Sequence, residues 1–411
     1  MAEQIERVAV TEVSAARALW PLGLSMALSL MGDATLYTVL PLHPAEAGIA
    51  LGSVGIILSV NRVIRLATNG PAGWLYDRVA DRRLLFLGSL WIGALSTAIY
   101  ALASGLPVLF FARLLWGLAW SGIWVGGNAI VLEMAPEAQR GRWVGIYQVW
   151  FFFGSTLGLF GGGVLTDAVG YREGLWIGAG ISAIGALAAV AALSDRHGGS
   201  HRARVAAQPL ARGLGWRAVS PAMWAIATAY GTNRLVAAGV ISATLGLVIQ
   251  ANVGSEFQLG AWQIGVASVT GGLLASRTLI SLVGAPFAGM WSDAAGRRWE
   301  LLALSLGLGA LGIGLLAAPN VGAVIVATVV GAAAAGSIQS LATALAGDLA
   351  REKQHGSNLG ILYTAGDLGS AIGPLAAYAI MPLAGLPIVY IACAALMVIV
   401  GIWTAIIGRA A

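Results

Sequence analysis

The chain has 411 residues, 58% of them hydrophobic and 10% charged, against about 25% charged in ordinary soluble domains. So apolar a chain is excluded from the soluble globular class and reads as an all-α protein that crosses a membrane many times. The net charge of +5 sits mostly in connections between apolar segments, which argues against a nucleic-acid footprint, and the lone Cys393 excludes an intramolecular disulfide.

Residues 1–17 are polar, with Glu3, Glu6 and Glu12. They lack the basic start and cleavage site of a secretory signal, so the first span is expected to be an uncleaved insertion signal. Roughly 20 apolar residues cross a hydrocarbon core. On that length the spans are predicted at 18–41, 52–76, 84–103, 107–132, 142–166 and 174–193, then at 218–248, 261–291, 300–318, 320–347, 357–381 and 385–407. This divides the chain into a six-helix bundle at 1–193, a polar cytoplasmic linker at 194–217 carrying five arginines, and a second bundle at 218–411. With alternate connections on opposite sides, 17 basic residues lie on the side of the termini and only Arg172 on the other. That bias predicts cytoplasmic termini in a cell (inner) membrane.

A shift of 215 residues lays the chain onto itself: Arg62 on Arg277, Pro71 on Pro286, Arg82-Arg83 on Arg297-Arg298, Glu137 on Glu352, Gln139 on Gln354. Gly141, Gly145, Gly154 and Gly158 fall on Gly356, Gly360, Gly369 and Gly373. Two similar halves in an apolar chain imply a site between them that opens alternately to either side.

The second span ends in Gly73-x-x-x-Asp77-Arg78-x-x-Asp81-Arg82-Arg83 and the eighth in Gly289-x-x-x-Asp293-x-x-Gly296-Arg297-Arg298. These loops resemble the Gly-x-x-x-Asp-x-x-Gly-Arg-Arg motif of the major facilitator superfamily. The second copy fits throughout, whereas the first has Ala80 in place of glycine and one extra residue. The resemblance covers the whole chain and implies twelve helices in two pseudo-symmetric six-helix halves. Carboxylates are favoured near helix N-termini. Asp77 could therefore serve the span starting near Gly356, and Asp293 the one near Gly141. The resemblance implies that such contacts, with Arg78 and Arg297 beside them, close and open the cytoplasmic side; ordinary interfacial charges that set topology would look the same. Glu133 to Gly141 and Asp348 to Gly356 form another repeated pair of loops, with Glu133 and Asp348 expected in a cytoplasmic latch. The fifth span's Gly154-x-x-x-Gly158-x-x-Gly161-Gly162 resembles the glycine stretch of facilitator antiporters, without its proline; in the eleventh, Gly369-x-x-x-Gly373-Pro374 has it. Close helix packing explains these glycines equally well, so they lean only weakly towards export.

Five arginines, Arg62, Arg65, Arg113, Arg234 and Arg277, lie within spans against Asp33 and Asp367. A charge at mid-bilayer costs at least about 2.5–3.5 kcal/mol and normally faces a cavity or a partner. Pairing with the two acids absorbs two arginines, not five. Asn61, Arg62, Arg65 and Asn69 form a polar stripe on one helix face, and Tyr37, Trp124 and Tyr230 fall at helical spacing from Asp33, Arg113 and Arg234. Related by the repeat, Arg62 and Arg277 are expected on facing walls with an anion between them, since a guanidinium presents a planar fork to carboxylate or phosphate; a structural role holding helices together is the alternative. Facilitators that carry small anions resemble this arrangement. Asp33 with Arg113 instead resembles drug–proton antiporters, which implies proton carriage at Asp33, with Asp367 a second candidate.

The expected function is proton-coupled secondary transport of a small organic anion or anionic amphiphile by a monomer, with no cofactor. A multidrug–proton antiporter with structural arginines is the alternative, and a non-transporting receptor on the same fold is a third. No enzyme is expected: His43, His197, His201 and His355 fall in or near loops, and no metal cluster or nucleophile arrangement stands out.

Overall fold

The computed structural model describes residues 2–79, 81–135, 139–194, 219–259, 262–349 and 355–410; side chains at 2–18, 141, 194, 259, 262, 355–357 and 410 are not described. Among the described residues, twelve helices are long and apolar enough to span a bilayer. They are α1 (Ala2–Val39), α2 (Val54–Arg78), α3 (Arg82–Leu102), α4 (Leu106–Met134), α5 (Arg140–Val169), α6 (Tyr171–Ser194), α7 (Pro221–Val253), α8 (Val266–Ala295), α9 (Arg298–Leu315), α10 (Val321–Asp348), α11 (His355–Ala384) and α12 (Leu386–Ala410). The linker expected at 194–217 lies outside the described residues apart from Ser194, as do Glu137, Glu352 and Gln354 of the repeated loops.

Local chemistry sets the helix ends. Asp81 accepts from the backbone N–H of Arg83 at 3.0 Å, and Asn320 from Gly322 at 2.7 Å, each satisfying a first-turn donor. Gly296 ends α8 at φ 65°, a left-handed conformation that glycine adopts without strain. The eighth span differs from its expected start at 261. Glu256–Leu259 and Trp262–Gly265 pair as an antiparallel hairpin, and the helix begins only at Val266. Period-two alternation through Trp262 and Ile264 suits a short strand better than a helix. At the other end, helical backbone extends back to Ala2, through the polar stretch ahead of the first span.

The repeat is visible in the packing. In the first six helices, α1 packs on α5 and α6, α3 on α4 and α6, and α2 on α4. In the second six, α7 packs on α11 and α12, α9 on α10 and α12, and α8 on α10. The two sets meet along α2–α11 and α5–α8, pairings that the repeat exchanges. Glycines permit these crossings: a side chain at Gly154 or Gly158 would strike the α1 backbone at Ala27 or Met31, and one at Gly369 or Gly373 the α7 backbone near Gly231 or Leu235. The glycine stretches thus serve close packing in both halves.

The junction between the sets is tightest on the side of the 43–53 and 254–265 connections. Gly55 lies against Pro374, Gly163 against Ala267 and Gly271 against the carbonyl of Leu159, with no room for a Cβ. Towards their other ends, α2 and α8 expose Trp74, Phe287, Met290 and Trp291.

Candidate functional site

Four helices converge on Arg113. Its side chain is fully buried and forms an ion pair with Asp33, itself 3% exposed. Arg113 also donates to the Tyr100 hydroxyl at 3.1 Å, to the Ile57 carbonyl at 3.1 Å and to the Tyr37 hydroxyl at 2.9 Å. The Tyr100 hydroxyl donates in turn to Asp33 at 3.3 Å, and the Asn61 amide to the Tyr37 hydroxyl at 3.3 Å. A buried pair is stable only when its remaining donors and acceptors are met, and this one is met from α1, α2, α3 and α4. In the sequence, spacing joins Asp33 to Tyr37 and the resemblance joins Asp33 to Arg113; Tyr100 is missed, because its role carries no signal in α3 beyond one polar aromatic among apolar residues.

The other two arginines of the first half both reach α11. Arg65 pairs with Asp367 at 2.7 Å. Arg62, 8% exposed, donates to the Ser370 carbonyl at 2.6 Å. That carbonyl is free because the residue four positions on is Pro374, which has no N–H to complete the helix. Arg62 also lies 5.0 Å from the centre of the Tyr37 ring.

Arg234 opens a π-helical stretch, Arg234–Ile241, within α7. Such stretches are frequent at functional sites. Gly366 of α11 leaves space for the Tyr230 ring and the Arg234 stem, and Tyr230 meets Tyr363 edge-on at 6.3 Å. Arg234 has no hydrogen-bond or ion-pair partner among the described residues. Arg277 is 7% exposed and equally without a partner among them, its guanidinium against Gly331 of α10.

Arg62 and Arg277, expected on facing walls, take different neighbours. Arg62 lies within electrostatic reach of Tyr37, Arg65, Arg113 and Arg234, whereas Arg277 has no ion-pair partner among the described residues. The repeat places the two arginines on equivalent helices, but Arg62 bonds the carbonyl on α11 that Pro374 leaves free, and Arg277 lies against Gly331 of α10.

An aromatic ladder borders the Arg113 cluster. Trp116, Trp120 and Trp124 stack along α4 at 6.1 and 5.8 Å, and Phe151 of α5 lies 5.4 Å from Trp124. Trp116 and Trp120 are buried and Trp124 is half-buried.

The loop charges pair within their own half. Arg82 bridges Asp77 at 4.0 Å and Glu133 at 3.2 Å, and Arg298 bridges Asp293 and Asp348 in the same way. Arg78 lies over Trp74 at 4.1 Å and Arg297 pairs with Glu300 at 3.5 Å. The expected reach of Asp77 and Asp293 to the opposite helix starts near Gly356 and Gly141 falls beside residues 351–354 and 136–138, which lie outside the described residues. Such a reach does occur at the other end: Asp167, ending α5, accepts the Ser268 N–H of α8 at 2.6 Å. Sequence reasoning passed over Asp167, although a carboxylate beside Gly170 at a span's end is a visible signal.

Twelve helices long and apolar enough to span a bilayer, in two sets with interchangeable pairings, define a membrane protein built of two similar halves. The chain belongs to the Major Facilitator Superfamily, whose family model matches residues 22–279 and again 213–410. It is similar to the MFS-type efflux transporter phmH of Phaeosphaeria nodorum, 30% identical over 129 residues, or 31% of this chain and 22% of that protein. It is also similar to a probable 4-methylmuconolactone transporter of Cupriavidus pinatubonensis, 30% identical over 119 residues, or 29% of this chain and 28% of that one. These matches thus span under a third of either relative. Among solved structures, a bacterial homologue of the human lysosomal transporter Spinster, inward-facing and unoccupied, superposes with TM-score 0.76 at 15% identity, covering 96% of this chain and 97% of that one. The nucleoside transporter NupG superposes with TM-score 0.72 at 12% identity, covering 95% and 98%. At such identities the likeness is one of fold.

Proposed function

We propose that this transporter moves a small organic anion or anionic amphiphile and couples that movement to protons, with a lean to export. One observation carries the reading. The two acids of the spans, Asp33 and Asp367, are already paired with Arg113 and Arg65, while Arg234 has no partner among the described residues and Arg62 only a neutral carbonyl. A bound anion supplies the missing charge. Arg62, Arg65 and Arg234 would hold it, with Tyr37, Asn61, Tyr230 and Trp124 lining the path. Asp367, its side chain 25% exposed, is the more reachable proton site in this conformation, whereas Asp33 at 4% is sealed by Arg113.

In this reading the termini face the cytoplasm of an inner membrane, the molecule acts as a monomer, and residues 1–193 and 218–411 rock about the intervening linker. The Asp77, Arg78, Glu133, Asp293, Arg297 and Asp348 loops regroup when the cytoplasmic side closes. Efflux by the relative phmH supports the lean to export.

A second reading, a multidrug–proton antiporter with structural arginines, is favoured by Arg62's bond to the carbonyl that Pro374 leaves free. A thermal-shift screen of the purified chain against anions, cations and neutral amphiphiles separates the two. Stabilisation by anions, lost in Arg234→Gln, supports the first; a cation as best ligand supports the second. Flux in proteoliposomes tests both against a non-transporting receptor.

A further inference from the structure

The charged groups around α2, α7 and α11 allow the charge of the substrate to be counted. Arg62 stands within electrostatic reach of Arg65, Arg113 and Arg234. The Arg234 stem lies against Gly366 of α11, the residue before the Asp367 that pairs with Arg65, so α7 and α11 close the same neighbourhood. Asp33 cancels Arg113, and Asp367 cancels Arg65. Arg62 and Arg234 are left, two guanidiniums without a carboxylate among the described residues. Arg62 has one neutral carbonyl acceptor and Arg234 none. Arg277 stands apart on α8 against Gly331 and does not enter the count.

Unmatched like charges in a medium of low dielectric repel strongly. A monoanion would relieve only one of the two. We propose that the preferred substrate is a small dianion, a dicarboxylate or a phosphate monoester, with one anionic end at Arg62 and Arg65 and the other at Arg234. The inference rests on the anion-transport reading and sharpens it. The π-helical turn that begins at Arg234 positions the second cation, and Tyr230 and Tyr363 border it. Asp367 sets the size of the excess: while it holds Arg65 the excess is two, and without its charge it becomes three.

The test is direct binding to the purified full-length chain at constant ionic strength, using probes matched in shape and differing in charge. Succinate is compared with butyrate and phthalate with benzoate, and phenyl phosphate separates the phosphate-ester source from the dicarboxylate. The dianion of a pair is expected to bind about tenfold tighter or more. Arg234→Gln should remove most of that preference, Arg234→Lys should keep much of it, and Asp367→Asn should widen it. If Arg234→Gln fails to fold, the wild-type and Asp367→Asn comparisons still decide. Equal or tighter binding of monoanions overturns the dianion inference and leaves anion transport standing. A preference unchanged in folded Arg234→Gln also overturns it. Binding of cationic or neutral amphiphiles with no anion bound at all overturns the anion reading itself.

Discussion

Arg62 donates to the backbone carbonyl of Ser370, 308 positions along the chain, at 2.6 Å. The acceptor exists because Pro374 cannot supply the N–H that would otherwise close that turn. One proline thus creates a polar socket on α11, and one arginine of α2 fills it where the two halves meet.

The socket predicts non-additivity. Pro374→Ala restores the helical hydrogen bond and removes the acceptor, so Arg62→Ala should cost much less in that background than in the native chain. A bond from a charged donor is worth about 1.5–3 kcal/mol, which sets the expected coupling in a double-mutant cycle of unfolding in detergent. Additive effects would show that Arg62 does not depend on Pro374.

Asp33→Asn leaves Arg113 buried with no counter-charge. Breaking such a pair costs about 3–5 kcal/mol, and Asp33→Asn with Arg113→Gln together should recover part of the lost melting temperature. On the proton-coupling reading, Asp33→Asn or Asp367→Asn should abolish accumulation driven by a pH gradient while leaving some downhill exchange. Full proton-driven accumulation in both variants would remove these two sites from the coupling mechanism.

Asp167 ties α5 to the first turn of α8 through Ser268. Loss of a capping carboxylate costs about 0.5–2 kcal/mol, here borne only by the conformation in which the halves touch on that side. Asp167→Ala should therefore raise the labelling rate of a cysteine placed at Ala267 by a water-soluble thiol reagent, in a Cys393→Ser background. Gly163→Val, which wedges the same crossing, should act in the same direction. Unchanged labelling in both variants would mean that this junction does not gate access.

Topology has its own check. Reporter fusions at Gly199 and Gly254 should report opposite sides of the membrane, with Gly199 cytoplasmic. The same location for both would break the alternation on which the assignment of sides depends.

Much of this molecule was legible without coordinates. Span number follows from apolar length, because a helix in lipid must satisfy its own backbone and cover the hydrocarbon thickness. The twofold plan follows from Arg62 over Arg277 and the paired glycines. The shared face of Asp33 and Tyr37 followed from spacing, whereas the association of Asp33 with Arg113 followed from the resemblance to drug–proton antiporters.

Tertiary structure decided which partner each charge takes. Arg62 and Arg277 are equivalent in the repeat, yet one bonds the Ser370 carbonyl of α11 and the other lies against Gly331 of α10. Asp77 and Asp293 sit at equivalent loop positions as expected, and each pairs with an arginine of its own half. Tyr100 and Asp167 gain their roles only from helices that fold against theirs. Periodicity along one helix shows which face is polar, whereas the identity of what meets that face depends on helices distant in the chain and on a few small residues or prolines that let them approach.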